Sequence, residues 1–169
     1  MQFTFCPDCG GRLIKKSIGD EGEIPFCNSC GRPWFSFSYP CVICLLTDGA
    51  GNYALIRQTY ATKNYVCVAG FIKEHETAEQ TAAREICEET GLEVLNMRYV
   101  GSYYYPKHDN LMLGYLCTVK RGEFRLSGEV ERAGWFGLEE TRELLSHGTV
   151  GKELLRDSLK QGTQKGWFI

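Results

Sequence analysis

The sequence predicts a mixed α/β domain behind a small N-terminal cysteine module, on three observations. Residues 1–34 carry two C-x2-C-G knuckles, Cys6-Pro7-Asp8-Cys9-Gly10 and Cys27-Asn28-Ser29-Cys30-Gly31, with seventeen residues between Cys9 and Cys27. From Phe35 onward, short apolar and β-branched runs alternate with helix-length segments. One such segment is framed as a helix at both ends: Thr77 and Gln80 form a capping box, and Gly91 stands where a glycine stops a helix.

The elements follow in order. The glycine after each cysteine pair permits the tight turn that aims backbone amides at sulfur. Four thiolates at this spacing suit one tetrahedral, structural Zn²⁺, so Cys6, Cys9, Cys27 and Cys30 are the expected ligands of a zinc ribbon over residues 1–34. Polar residues around Gly19 and Gly22 turn the chain between two short strands. A third pair, Cys41 and Cys44, lies in the apolar run CVICLL without the knuckle glycine and reads as buried strand thiols. Cys67, Cys87 and Cys117 are expected to pack as small hydrophobes. Strands are predicted over 39–47, 53–58, 65–69, 93–105, 111–120, 124–126 and 133–136, and closing helices over 138–146 and 150–161, with Thr149 as a cap. The tail from Gly162 to Ile169 has no assigned element.

The bulk numbers set bounds. A chain of 169 residues is one domain, or one domain plus a small module, and 43% hydrophobic residues suffice for a core. A net charge of −2 excludes a global pull toward nucleic acid or anionic lipid. The N-terminus lacks a signal-peptide pattern, and the longest apolar run, 41–46, is too short to span a bilayer. The nine cysteines favour reduced thiols plus a metal site over a disulfide framework. The expectation is a soluble cytoplasmic protein with no membrane partner.

The central helix is unusual on its polar side. Ala78, Ala82, Ala83 and Ile86 make an apolar stripe, while Glu85, Glu88 and Glu89 fall at i, i+3 and i+4 and project from one face. Like-charge pairs of this kind cost an isolated helix roughly 0.2–0.5 kcal/mol each. Such a face calls for a cation, and oxygen-only ligands favour Mg²⁺ or Mn²⁺ over zinc.

Gly70 is followed by five residues and Glu76, then by seven residues and Arg84-Glu85-Ile86-Cys87-Glu88-Glu89-Thr90-Gly91-Leu92. This stretch resembles the Nudix box, G-x5-E-x7-R-E-U-x-E-E-x-G-U with U aliphatic, at every specified position. The resemblance, over roughly residues 35–161, implies an α/β/α sandwich around a mixed sheet, with residues 35–169 as the Nudix domain. It also implies divalent-cation-dependent hydrolysis of a nucleoside diphosphate linked to another group. By the same resemblance Glu85 and Glu89 are direct metal ligands, and Glu88 is a ligand or the base. Arg84 and Glu76 orient the carboxylates, and Gly70 lets the backbone approach the metal. The stretch Gly128-Glu129-Val130-Glu131-Arg132-Ala133-Gly134-Trp135-Phe136 is similar to the family's E-x-x-E-A-x-W-F, which points to Glu129 as a further ligand. Arg132 stands where the second glutamate is usual.

A zinc ribbon before a Nudix domain is similar to the NADH pyrophosphatase-like branch, whose members cut NAD(H) and in some cases remove NAD caps from RNA. That branch carries S-Q-P-W-P-F-P-x-S after the box. Here Ser102, Pro106 and the LMLGY end agree, and the Q-P-W, F-P and final serine positions do not. NAD(H), ADP-ribose and NAD-capped RNA are the candidate substrates. Tyr103 and Tyr105 can stack on a base or be ordinary strand residues; Lys107 and His108 can meet phosphate or be ordinary loop residues. Phe71 and the helix start at Gly148-Thr149-Val150-Gly151 resemble nucleotide-proximal positions of the family. Phe35, Phe37 and Tyr39 can stack on substrate or simply pack.

The alternative to an enzyme is a non-catalytic Nudix-fold nucleotide sensor or nucleic-acid-binding regulator using the ribbon. Within residues 1–38, Arg12, Lys15, Lys16 and Arg32 are balanced by Asp8, Asp20, Glu21 and Glu23, which leaves no basic footprint there. The ribbon is therefore expected to be structural, and the resemblance implies a homodimer.

Overall fold

In a computed structural model, residues 3–60, 63–147 and 149–163 are described. Gly148, the side chain of Thr149 and the tail residues 164–169 lie outside them. The chain forms two compact units, Met1–Tyr39 and Pro40–Ile169.

The first unit is a three-stranded antiparallel sheet of β1 (Ile14–Ser17), β2 (Glu23–Cys27) and β3 (Arg32–Pro33), with a 3-10 turn at Gly19–Glu21. Both knuckle glycines take positive φ, 71° at Gly10 and 69° at Gly31. Their N–H groups donate to the Cys6 and Cys27 carbonyls at 2.9 Å, the turn that only glycine adopts without strain. Phe37 rests edge-on against Tyr39 and tilted against Phe3, so this ring packs inside its own unit.

The second unit is built on β4 (Tyr39–Thr47). It lies in a six-stranded sheet with β5 (Asn52–Gln58), β6 (Val68–Phe71), β7 (Val94–Tyr105), β8 (Asn110–Val119) and β9 (Val130–Gly137). The strand order is β7-β8-β4-β5-β9, and β6 pairs with β4. The run CVICLL is continuous because β4 is buried on both faces. Val42, Cys44 and Leu46 point into one cluster with Ala82 and Ile86 of α1 (Ala78–Thr90). Cys41, Ile43 and Leu45 point into the other, with Leu145, Val150, Leu154 and Leu155 of α3 (Thr149–Thr163) and the 3-10 turn before it. Helices therefore cover both faces: α1 on one, and α2 (Leu138–Leu144) with α3 on the other, the expected α/β/α sandwich. No helix among the described residues is long and apolar enough to cross a membrane.

Four local expectations are corrected. The strand expected over 65–69 starts at Val68 and runs through Gly70 to Phe71, because those residues pair with Val42 and Cys41. Val66 makes only an isolated bridge to Ile56. Residues 124–126 are not a strand: Arg125 N–H donates to the Thr90 carbonyl at 2.9 Å, so this backbone caps the end of α1, while Phe124 stacks on Trp135. On α1, Ala83 is exposed, and the buried face is Thr81, Ala82, Ile86, Glu89 and Thr90. Cys87 shares that outward side and is exposed, whereas Cys41, Cys44, Cys67 and Cys117 are buried.

Both ends of α1 are as expected. Thr77 Oγ1 accepts from Gln80 N–H at 3.2 Å, and Gln80 Oε1 accepts from Thr77 N–H at 2.9 Å. Gly91, at φ 70°, closes the helix by donating to the Cys87 carbonyl. Thr77→Ala is expected to cost about 1 kcal/mol in urea unfolding, whereas Ala83→Ser, on the exposed side, should change stability by less than about 0.5 kcal/mol.

Candidate functional site: a carboxylate helix pinned by Arg84

Arg84 holds the carboxylate face together. Its Nε donates to Glu76 Oε1 at 2.7 Å and its Nη2 to Glu76 Oε2 at 2.8 Å, a bidentate fork. Nη1 donates to Glu85 Oε1 at 2.6 Å and to Glu88 Oε2 at 3.1 Å, and Nη2 also reaches the Phe71 carbonyl at 3.3 Å. One guanidinium thus ties α1 to the loop before it and to the end of β6. Glu76 also accepts from Thr81 Oγ1 at 2.8 Å and from Lys73 N–H at 3.3 Å. The Arg84 hydrogen bonds lower its pKa to about 2. Glu76 in turn is the main reason the Arg84 charge is held more firmly than usual.

Gly70 is needed for space. It lies within β6 at an ordinary φ, and a Cβ there would overlap the Glu85 carboxyl. The glycine lets that carboxylate lie flat against the strand.

Glu89 is the uncompensated group. It is 4% exposed, and its Oε2 has no hydrogen-bond partner. Burial first, then the charges of Glu85 and Glu129, push its pKa up to about 8, against an opposing hydrogen bond from Gln58. No basic residue lies in the last turn of α1, so Glu88 and Glu89 face the negative end of the helix dipole as well. A buried carboxylate with an orphan oxygen, among further carboxylates, is a donor set suited to a hard divalent cation.

Glu129 reaches the same neighbourhood from the loop before β9. Its carbonyl accepts from Thr59 N–H at 2.9 Å and Thr59 Oγ1 at 3.2 Å, and its Oε2 lies 3.5 Å from the Tyr60 hydroxyl. The charges of Glu129, Glu89 and Glu85 all act on that phenol. Gln58, Thr59 and Tyr60 carry no motif. They come to the site because the β5–β9 ladder sets Gln58 against Val130, next to Glu129.

The residues expected to hold substrate are not gathered together. Phe71 is exposed beside Gly70. Tyr103 follows the second of its two readings: it is 8% exposed, packs in the core under α3 and points its hydroxyl to Asp157 Oδ2 at 3.4 Å. Alternation along β7 sets Tyr103 and Tyr105 on the face opposite α1, and Tyr104 is the exposed ring of the three. Tyr105 sits 5.5 Å from the His108 ring, in the β7–β8 turn that also carries the exposed Lys107. Gly151 serves close packing: a Cβ there would meet Leu145 Cδ2 at 3.3 Å and Cys67 Sγ at 3.5 Å.

In the first unit the Sγ atoms of Cys6, Cys9, Cys27 and Cys30 all lie within 4.8 Å of one another. The Cys6–Cys30 and Cys9–Cys27 separations are 3.8 and 3.5 Å. A tetrahedron with metal–sulfur bonds of about 2.3 Å has edges of about 3.8 Å, so the four thiols fit one Zn²⁺. Cys30 N–H donates to Cys27 Sγ at 3.3 Å, as a knuckle requires.

Fold and site together define an α/β/α sandwich with an arginine-pinned carboxylate helix. The NUDIX domain model matches residues 38–157, and the chain belongs to that family. It is 30% identical over 158 residues to the NAD-capped RNA hydrolase NudC of Vibrio cholerae, covering 93% of this chain and 58% of that protein. It is 31% identical over 152 residues to NudC of Pseudomonas aeruginosa, covering 89% and 54%. The chain therefore spans less than two thirds of the length of these relatives. A NUDIX hydrolase from Nitrosomonas europaea superposes with a TM-score of 0.78 at 22% identity, covering 96% of this chain and 94% of that one. The NUDIX domain of Shewanella oneidensis NrtR, complexed with ADP ribose, superposes at 0.66 and 14% identity, covering 80% and 93%. At these identities the structural likenesses show the fold.

The burial of Glu89 makes metal-free stability depend on pH. An acid whose folded pKa exceeds its unfolded value stabilises the fold while protonated. That contribution is full below about 4.5 and lost as pH rises through about 8. In EDTA the melting temperature should fall across this window. Glu89→Gln should flatten the fall and melt higher than wild type above pH 8, read by thermal denaturation with and without Mn²⁺.

Proposed function

We propose that the chain is a Nudix pyrophosphohydrolase that cuts the diphosphate linkage of a nucleoside diphosphate-X compound. The observation that carries this reading is the buried, partnerless Glu89 oxygen beside the Arg84-pinned Glu85. The products would be a mononucleotide and phospho-X. NAD(H)-like dinucleotides, ADP-ribose and NAD-capped RNA are the candidate substrates, the last supported by the NudC relatives.

Glu85, Glu88, Glu89 and Glu129, with the backbone of Gly70, would hold Mg²⁺ or Mn²⁺. When bound, the cation neutralises diphosphate oxygens and lowers the pKa of an attacking water. The protein's own part is positioning. Arg84 and Glu76 keep the carboxylates aimed, Gly70 clears the approach, and one carboxylate of the set would take the proton of the attacking water. Phe71 offers an exposed ring beside the carboxylates for a base, and Lys107 and His108 stand exposed for phosphate. A non-catalytic sensor would have little use for a full carboxylate set, so the enzyme reading is preferred. Cys6, Cys9, Cys27 and Cys30 hold a structural Zn²⁺ in a ribbon that precedes the catalytic domain. A homodimer in the cytoplasm is part of the same reading.

Purified protein with Mn²⁺, offered NADH, ADP-ribose and a diadenosine polyphosphate side by side, should release a mononucleotide from at least one; chromatography showing none would overturn the reading. Glu89→Gln should lower kcat by about 100-fold or more while the fold is kept. Cys27→Ser should remove the single equivalent of zinc by elemental analysis and lower the melting temperature; unchanged zinc content would refute the ribbon.

A further inference from the structure

Arg84 accounts for part of the carboxylate set. It donates to Glu76, Glu85, Glu88 and the Phe71 carbonyl, and neither Glu89 nor Glu129 is among these partners. The polar groups that meet Glu89 and Glu129 come from one place, the C-terminal end of β5. Ala54 and Ile56 face the α1 side of the sheet, so alternation sets Gln58 on that side as well. There its side-chain amide donates to the Glu89 carboxylate. Glu89 Oε2 keeps no partner, so this bond leaves that oxygen unmatched. One residue on, Thr59 holds the Glu129 carbonyl twice, through its N–H at 2.9 Å and its Oγ1 at 3.2 Å. Tyr60 then brings its hydroxyl to 3.5 Å from Glu129 Oε2.

A bulge in the β5–β9 ladder decides which glutamate at the start of β9 joins this group. Arg57 pairs with Arg132, but Gln58 pairs with Val130, so Glu131 is passed over. An extra residue on one strand shifts everything beyond it by one place and reverses its faces. Val130 therefore faces α1 and is buried with Ala82 and Ile86. Glu131 instead meets the Arg57 guanidinium at 2.7 Å, at the surface. Glu129 arrives beside Thr59. An unbroken ladder would set Glu131 opposite Gln58 and carry Glu129 one place further along. Bulges beside functional sites commonly re-aim side chains in this way.

We propose that the end of β5 is a second positioning element of the site: Gln58 aims Glu89, and Thr59 with Tyr60 aims Glu129. Arg84 and this strand end divide the carboxylates between them. Partners outside the ligand set fix the orientation of metal-binding side chains and so tune affinity. A carboxylate held at one oxygen by Gln58 presents the other in a set direction. The proposal rests on the reading of these carboxylates as a cation site, and it gives roles to three residues that carry no motif.

The test is made on the full chain without substrate, by titrating Mn²⁺ and reading its dissociation constant by electron paramagnetic resonance. Gln58→Met should weaken Mn²⁺ binding roughly tenfold or more. Tyr60→Phe should weaken it less, by about threefold, because 3.5 Å is long for a hydroxyl hydrogen bond. Tyr60 is 68% exposed, so its variant does not threaten the fold. Each loss should vanish where its target carboxylate is already gone. Gln58→Met should cost nothing further beside Glu89→Gln, nor Tyr60→Phe beside Glu129→Gln. A merely structural effect would add to those variants, and additive losses overturn the proposal. So does unchanged affinity in both single variants, and so does a wild type whose Mn²⁺ affinity Glu89→Gln leaves untouched. If Gln58→Met does not fold, Gln58→Asn, which draws the amide back by one carbon, takes its place in the cycle. Turnover is read separately. Release of a mononucleotide together with additive losses keeps the hydrolase reading and removes the positioning element. Coupled losses without turnover of NADH, ADP-ribose or a diadenosine polyphosphate do the reverse.

Discussion

The second unit depends on the guanidinium of Arg84. A helix that sets Glu85, Glu88 and Glu89 on adjoining turns repels itself, and its C-terminal dipole adds to the repulsion. Arg84 relieves part of this by donating to Glu85 and Glu88 while its remaining donors hold Glu76 and the Phe71 carbonyl. Lysine would not substitute, because a single ammonium cannot serve a bidentate carboxylate, two further carboxylates and a carbonyl from one plane. The side chain is only 19% exposed, so these bonds act where water competes less. The loop from Ile72 to Glu76 is tied to α1 through this residue and Thr81.

Arg84 does not reach Glu89, and that omission divides the site. Glu85 and Glu88 have a cation of the protein's own, while Glu89 is buried with one oxygen unmatched. Leaving a buried carboxylate unpartnered is unfavourable, and at neutral pH the fold tolerates it by keeping the group largely protonated. A divalent cation would exchange that proton for metal. The carboxylates held by Arg84 would supply preset geometry, and the one with an unmatched oxygen the driving force for loading.

Much of this was legible in the sequence, and the rest was not, for definite reasons. Local chemistry read correctly: the Thr77–Gln80 box, the Gly91 stop, the knuckle glycines and the doubly buried CVICLL strand each depend on a few neighbouring residues. What failed depends on pairing across the fold. Tyr103 was open between stacking and packing because alternation gives a face without saying which face α3 covers. Residues 124–126 have strand character but are used to cap α1. Cys87 lies inside an apolar-looking stretch yet falls on the helix side that faces out. Gln58, Thr59 and Tyr60 reach Glu129 only through the β5–β9 register, and no spacing rule can announce that.

The two faces of the sandwich also differ in what they can specify. The α1 face is constrained nearly atom by atom: changing Gly70 overlaps Glu85, and changing Glu76 releases Arg84. On the proposed reading, a site so constrained would select a bond, since a diphosphate looks much the same whatever is attached to it, and would have little freedom left to select the attached group. The face under α2 and α3 is less constrained, because an exposed residue such as Lys152 can change without disturbing the buried Leu154 and Leu155 beside it. On that reading, discrimination among substrates that share a diphosphate would come from contacts outside the carboxylate face, such as the β7–β8 turn. That turn is left unconstrained by the carboxylate geometry, which is how a chain can keep every box residue while departing from the branch signature between Tyr103 and Asn110 at all but Pro106.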